Sequence, residues 1–367
     1  MNQDEYRKVA FFVQKLPPTV NIETVPVLKQ LAQAHRYLAE LKGGCRSIPN
    51  DAILVNTLAL QEAKDSSEVE NIVTTHDELF QQSLFEDGPG NPAAKEVQNY
   101  ASALKLGFQL VRKSGILANS TIKKIQEELE GNQAGFRKQA GTALKNQNTG
   151  EVVYVPPQHP DEIDALMANL EAFIHDDALS SLDPLIKMAV IHFQFESVHP
   201  FYNGNGRTGR IMNVLYLVHK GLLDLPVLYL SRFITQDKKE YYDRLQAVRD
   251  GGEWEAWVIY MLKGVETTAR QTLAIVEEIN KMMMDYKHRI RKEFKFYSQD
   301  LLNNLFSHPY TKIDFLRRDL KVSRLTAAKY LDTLAEKGYL EKKRLGRSNY
   351  YINTPLFRLL SNVPEGV

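Results

Sequence analysis

The residues best suited to chemistry lie together in one run, His199-Pro200-Phe201-Tyr202-Asn203-Gly204-Asn205-Gly206-Arg207-Thr208-Gly209-Arg210. His199 titrates near neutral pH and can take a proton from a hydroxyl. Pro200 discourages the preceding helical stretch from continuing through it. The Gly204-Asn205-Gly206 run lets the backbone turn with its N–H groups facing one way. It leads directly into a helical stretch, whose unpaired N–H groups and aligned peptide dipoles attract anions. Arg207 and Arg210, three residues apart, share a helix face and can both reach phosphate oxygens. One short segment thus supplies a proton acceptor, an anion nest and two fixed cations.

Other chemistries fit this segment less well. Gly204, Gly206 and Gly209 have the spacing of a dinucleotide fingerprint, with Asp224 near the right distance downstream. That fingerprint follows a hydrophobic strand, whereas here a helical stretch and His-Pro-Phe come first. A phosphate loop of the form GxxxxGK followed by Ser or Thr is absent. His192 and His199 are seven apart, with no third ligand at a typical zinc spacing. A plain capped helix with two surface arginines would not need His-Pro-Phe and three glycines packed so close.

The elements that must position this segment read as mainly helical. Apolar spacing predicts helices over 23–43, stopping at Gly43-Gly44, and over 51–72 in one or two pieces, then over 95–114, 119–130 and 161–176. The connection from Glu86 to Lys95 is rich in turn residues. Asp183 and Pro184 open a helix well, and a second long helix covers about 207–220. Helices around 237–249 and from Glu253 follow, and 265–294 is long enough to act as a connector. One place breaks the pattern: Asn148-Thr149-Gly150 followed by Val152–Val155 signals a hairpin, ended by Pro156-Pro157. Two strands alone are marginal in water, so this hairpin is expected to lie over a cleft.

Composition narrows the class. The 367 residues allow two or three domains, and a hydrophobic content of 43% with 25% charged residues is ordinary for a soluble globular protein. The 46 basic and 45 acidic residues nearly cancel, so no global field draws nucleic acid or membrane. Cys45 is the one cysteine, which excludes an intrachain disulfide and reads as a small core residue. The apolar run Val9–Val13 is too short for a signal core, and no stretch approaches the roughly 20 apolar residues of a membrane span. A cytoplasmic protein without membrane attachment is expected.

The run at 199–210 resembles the Fic (Fido-domain) signature, HPFx(D/E)GN(G/K)RxxR, at every specified position except Asn203. The resemblance covers roughly residues 30–290. It implies a protein adenylyltransferase that moves AMP from ATP to a Ser, Thr or Tyr hydroxyl of a target protein or of itself. His199 would be the general base. Gly204, Asn205, Gly206, Arg207, Thr208, Gly209 and Arg210 would bind ATP, with Asn205 on the α-phosphate, Arg207 on the outer phosphates and Arg210 on the γ-phosphate. Phe201 reads as packing that fixes the loop. The helix carrying Tyr241, Tyr242 and Gln246 falls where the family lines its adenine pocket. The 145–155 hairpin resembles the flap that pairs with the target by strand addition. Asn203 stands where the family has an acid that binds Mg²⁺ (or Mn²⁺), and a neutral amide suits a hard dication less.

Ser66-Ser67-Glu68-Val69-Glu70-Asn71 resembles the family's inhibitory motif, (S/T)xxxE(G/N). Ser66 and Glu70 share a helix face, and Glu70 lies near a helix end whose dipole disfavours an anion. The resemblance supplies the cationic partner, Arg210, and implies that Glu70 displaces the γ-phosphate. Residues 1–95 are thus expected to be an N-terminal helical region with the inhibitory helix at about 60–72. Residues 96–290 would be the catalytic domain and 291–367 a winged-helix-like domain. From Lys321 to Arg347 there are eight basic and three acidic residues, a patch that serves either DNA or protein docking. A homodimer is the family expectation. Alternatives are transfer of UMP or phosphate, AMP removal, or a nucleotide-sensing DNA-binding regulator. Gly206, where the phosphotransferring branch has Lys, argues against phosphate transfer.

Overall fold

The computed structural model describes residues 12–82, 91–145, 149–345 and 348–361. Parts of the Val9–Val13 run and of the Glu86–Lys95 connection, Asn148 of the hairpin turn and Gly346-Arg347 lie outside the described residues. Within them the chain is mainly helical, as its apolar spacing predicts. It runs α1 (Val25–Cys45), α2 (Asp51–Val69), α3 (His76–Gln82), α4 (Pro92–Ser114) and α5 (Asn119–Glu130). The hairpin β1 (Leu144–Lys145) and β2 (Val152–Tyr154) precedes α6 (Pro160–His175), α7 (Pro184–Val198) and α8 (Asn205–His219). Then come α9 (Leu230–Gln236), α10 (Lys238–Gly251) and α11 (Trp254–Glu293).

Helices α7 and α8 form the centre. Nearly every residue of α7 from Leu185 onward is buried, and so is α8 from Arg207 to Leu217. Apolar residues on every side place both helices inside the core, and the polar residues buried with them, such as His192 and Arg210, find partners there. Asp183 caps α7 as expected, accepting from the Leu185 N–H at 2.8 Å, with Pro184 in the first turn. Helices α4 and α5 pack against α8, and α6 against α7.

Two helices run longer than the sequence pattern predicts. Helix α1 continues through Gly43-Gly44 to Cys45, because Gly44 serves close packing: a Cβ there would lie 2.4 Å from Leu273 Cδ1 on α11. Helix α11 is a single 40-residue helix rather than two. Gly264 does not break it, since the missing side chain makes room for Leu230 and Phe233. Cys45 is buried, as expected of a core residue.

The C-terminal unit comprises α12 (Gln299–Ser307), β3 (Tyr310–Lys312), α13 (Ile313–Leu320), α14 (Arg324–Glu336), β4 (Glu341–Leu345), β5 (Ser348–Ile352) and α15 (Thr354–Ser361). Its strands form an antiparallel sheet in the order β3-β5-β4, and Ser323 caps α14. Helix α12 packs on α2 and on α11, and the Tyr310 hydroxyl donates to Asp77 on α3. Among the described residues no helix is long and apolar enough to cross a membrane.

The two neighbouring glycines of α1 make opposite predictions. Gly44→Val overpacks the α1–α11 contact and is expected to cost about 1–3 kcal/mol. Gly43→Ala meets open space and is expected to stabilise by up to about 1 kcal/mol. Thermal melting of the two variants against the parent checks the order.

Candidate active site

His199 is where α7 ends. Its backbone turns into the left-handed region (φ 47°, ψ 58°), and its N–H still donates to the Phe195 carbonyl at 2.9 Å. Few residues other than glycine adopt that conformation, so something must hold it. Two devices do. Phe201 is fully buried between Phe136 and Phe195, which fixes the loop as the sequence suggests. The Asn205 amide clasps the Phe201 backbone from both sides, accepting from its N–H and donating to its carbonyl, each at 2.8 Å. Asn205 was expected on a phosphate; its side chain is engaged in bracing the turn instead. Gly204 (φ 77°) then opens α8, leaving the first-turn amides at the helix mouth.

Both arginines of the segment meet carboxylates. Arg207 donates to Glu96 at 2.9 Å and to Glu130 at 2.7 Å. Arg210, 1% exposed, donates to the Ser66 hydroxyl at 2.7 Å, the Ser66 carbonyl at 2.9 Å and Glu70 at 2.8 Å. Glu70 caps the C-terminus of α2, and its carboxylate reaches the mouth of α8: a Cβ on Gly206 would lie 2.4 Å from Oε1. Burial pushes the Glu70 carboxyl up, but Arg210, with Arg207 and His199, brings it below its ordinary range. Asn71 takes the left-handed conformation (φ 62°) after α2, and Lys238 ties that end down by donating to its side chain and to the Glu68 carbonyl.

Burial, with the positive charges of Arg137 and Arg249, pushes the His199 imidazole down to about 4. It is therefore neutral near pH 7 and able to accept a proton. Beside it on α7, Glu196 is pushed up to about 7 by burial. A Cβ on Gly209 would lie 2.6 Å from Glu196 Oε1, so this glycine lets α7 and α8 approach. Gly209 faces the helix–helix contact rather than the mouth of α8, and Thr208 is fully buried.

The residues expected around adenine divide. Tyr241 is a core residue: its hydroxyl meets His192 Nε2 at 2.8 Å, and its ring packs on Trp257 and Tyr260. Tyr242 is 48% exposed and rests edge-on against Tyr241. The Gln246 amide bridges Arg249 and Asp250. In the hairpin, Leu144 pairs with Tyr154, whose hydroxyl donates to the Ser197 carbonyl at 2.6 Å and whose ring lies under Arg249 at 4.0 Å. The hairpin is thereby fastened beside His199.

A metal finds little here. Asn203 is exposed and neutral, the nearby acids are engaged by arginines, and no group of three or more candidate ligands occurs among the described residues. This donor set does not fit a resident dication.

Sequence reasoning missed Arg137, Arg249, Glu196, Glu96 and Glu130. Arg137 stands in a turn-rich stretch with no periodicity, and Glu96 and Glu130 reach Arg207 only through the packing of α4 and α5 on α8. Nothing local marks them. Glu196, one turn before His199 on a largely apolar helix, was the one visible signal.

Fold and site define a helical protein with an anion-attracting helix mouth beside a neutral histidine. The Fic/DOC family N-terminal model matches residues 28–109, the Fic/DOC family model 116–217, and the model for the C-terminal domain of SoFic-like protein adenylyltransferase 282–356. The chain belongs to the Fic/DOC family. It is 27% identical over 121 residues to protein adenylyltransferase fic-1 of Caenorhabditis briggsae, covering 33% of this chain and 22% of that protein. It is 29% identical over 174 residues to protein adenylyltransferase Fic of Culex quinquefasciatus, covering 47% of this chain and 33% of that protein. The chain thus spans about a fifth to a third of the length of these curated relatives. A solved Fic family protein from Desulfovibrio desulfuricans shares the fold, with a TM-score of 0.60 at 19% identity over 92% of this chain and 98% of that one.

Asn205→Ala leaves the Phe201 N–H and carbonyl buried without their partner, at about 1–3 kcal/mol for each group. The expected outcome is a lower melting midpoint and faster hydrogen exchange at the Phe201 amide, read by mass spectrometry.

Proposed function

We propose that this chain is a protein adenylyltransferase held at rest by its own Glu70. One observation carries the reading: a neutral imidazole stands beside a helix mouth that already holds an anion, the Glu70 carboxylate, bound to Arg210. A phosphate needs the same partners. ATP would lay its phosphates on the first-turn amides of α8, with Arg207 and Arg210 released from their carboxylates toward the outer phosphates. Tyr242 offers the open aromatic surface for the base. The target segment would lie along the β1–β2 hairpin and present a Ser, Thr or Tyr hydroxyl to His199.

The step balances simply. His199 takes the hydroxyl proton and becomes imidazolium. The hydroxyl oxygen forms a bond to the α-phosphorus, the bond from that phosphorus to the α–β bridging oxygen breaks, and pyrophosphate leaves. Amides at the mouth of α8 steady the charge that develops. While Glu70 occupies Arg210, the γ-phosphate cannot be seated, and ATP rests with its α-phosphate out of line.

A second reading adds to the first: the C-terminal unit contacts DNA. Arg324, Leu325 and Lys329 on α14 and Lys342 to Arg344 on β4 are exposed, although Arg324 and Lys342 also pair with Asp314 and Asp332.

Incubation with α-labelled ATP tests the enzyme. Glu70→Gly is expected to label protein at least about tenfold faster than the parent chain, a factor that about 1.4 kcal/mol of relieved competition supplies. Adding His199→Ala should abolish labelling. Because the base is the neutral imidazole, the rate should be flat through neutrality and fall only well below pH 6.5. Equal labelling by the parent and Glu70→Gly would remove the brake, and no labelling by either would remove the enzyme. For the C-terminal unit, a gel shift should show binding that weakens steeply between low and moderate salt. Binding indifferent to salt, or none, would point to protein docking.

A further inference from the structure

Arg137 has no place in the chemistry derived above, yet it is 1% exposed and carries a charge. Its hydrogen-bond partners are all carbonyls. Nε donates to His199 at 2.8 Å, and Nη2 donates to Pro157 at 2.9 Å and to Val198 at 3.4 Å. Its own backbone N–H donates to the Pro200 carbonyl at 2.7 Å. Val198 and His199 close α7, where carbonyls lack helical partners and the dipole favours a cation. Pro157 belongs to the other piece, three residues past β2 at the exit of the hairpin.

We propose that Arg137 is a positioning residue for the transfer step: by gripping the end of α7 and the exit of the hairpin together, it keeps His199 and the strand that presents the target hydroxyl in register. The proposal rests on His199 being the base. Three facts support it. The guanidinium fork meets carbonyls of both pieces at once, which the single point charge of a lysine cannot do. The strand it secures is only three residues long, and the grip on Pro157 adds a second hold beside the Tyr154 anchor. The carbonyl it holds most closely belongs to His199, so any slackening moves the base, and a misplacement of about 1 Å can cost roughly a hundredfold in rate.

The charged groups that act on the imidazole come from three places: Arg137 from the segment between α5 and β1, Arg249 from α10, and Glu70 from the end of α2, while Glu196 of α7 acts through its backbone. Arg137 is thus both a strut and one of two cations that disfavour imidazolium. These roles separate by substitution.

The test compares Arg137→Lys and Arg137→Gln in the Glu70→Gly chain, with α-labelled ATP and a fluorescent ATP analogue. Arg137→Lys keeps the charge and loses the fork: kcat should fall about 10- to 100-fold, the Kd of the analogue should change less than about threefold, and the acid limb should stay in place. Arg137→Gln should lose kcat similarly and move the acid limb up toward pH 6.5. NMR titration of His199 in carbon-13-histidine protein reads the same displacement without turnover. Unchanged kcat in both variants would overturn the proposal. So would losses that follow the melting midpoint and nucleotide binding while the limb and the His199 titration stay put. Failure of the Glu70→Gly chain itself to label would overturn the adenylyltransferase reading, and with it the base that Arg137 serves.

Discussion

Two helices buried on nearly every side have to be joined by the short turn from His199 to Gly204, and the rest of the site answers to that constraint. A chain leaving one core helix and entering another leaves carbonyls behind and carries amides ahead. Here the carbonyls fall to Arg137 and the amides are left at the mouth of α8. The left-handed backbone at His199 is what swings the imidazole out of the α7 stack. Phe201 wedges the turn against Phe136 and Phe195, and Asn205 ties it shut. Phe201 and Asn205 therefore serve the junction itself, while Arg207 and Arg210 face anions across it.

Charge is distributed around that junction in a consistent way. Three carboxylates, from Glu70, Glu96 and Glu130, hold two arginines that would otherwise stand unpaired in a low-dielectric cleft. Truncating one partner of such a pair is costly, but exchanging it for another anion is not. A triphosphate is the kind of anion that makes this exchange. The imidazole beside it stays neutral because it is buried, with Arg137 and Arg249 adding to the effect, so proton acceptance and anion binding rest on different pairs of arginines within one site.

Much of this was legible beforehand, and the reasons are physical. The His199–Arg210 run spells its chemistry in adjacent letters, since a helix end, a glycine turn and a helix start are all local. The spacing of Ser66 and Glu70 placed them on one face, and Asp183 marked its cap. What stayed hidden was long-range or directional. Periodicity showed that Tyr241 is on a helix, but not that it points into the cluster of His192 and Trp257. Asn205 has the right type for a phosphate, and only the folded turn reveals its inward clasp. Gly43-Gly44 reads as a helix stop until α11 is laid against it.

For the brake proposed at Glu70, the docking of α12 on α2 and the bond from Tyr310 to Asp77 limit how an active state is reached. Swinging α2 outward as a body would strip the C-terminal unit from its seat and open a large apolar seam to water. Fraying only the last turn, from Ser66 to Asn71, would disturb the Arg210 contacts and the Lys238 tether and leave that seam closed. The economical path to activity is thus a small unravelling at one helix tip, within an otherwise stationary frame.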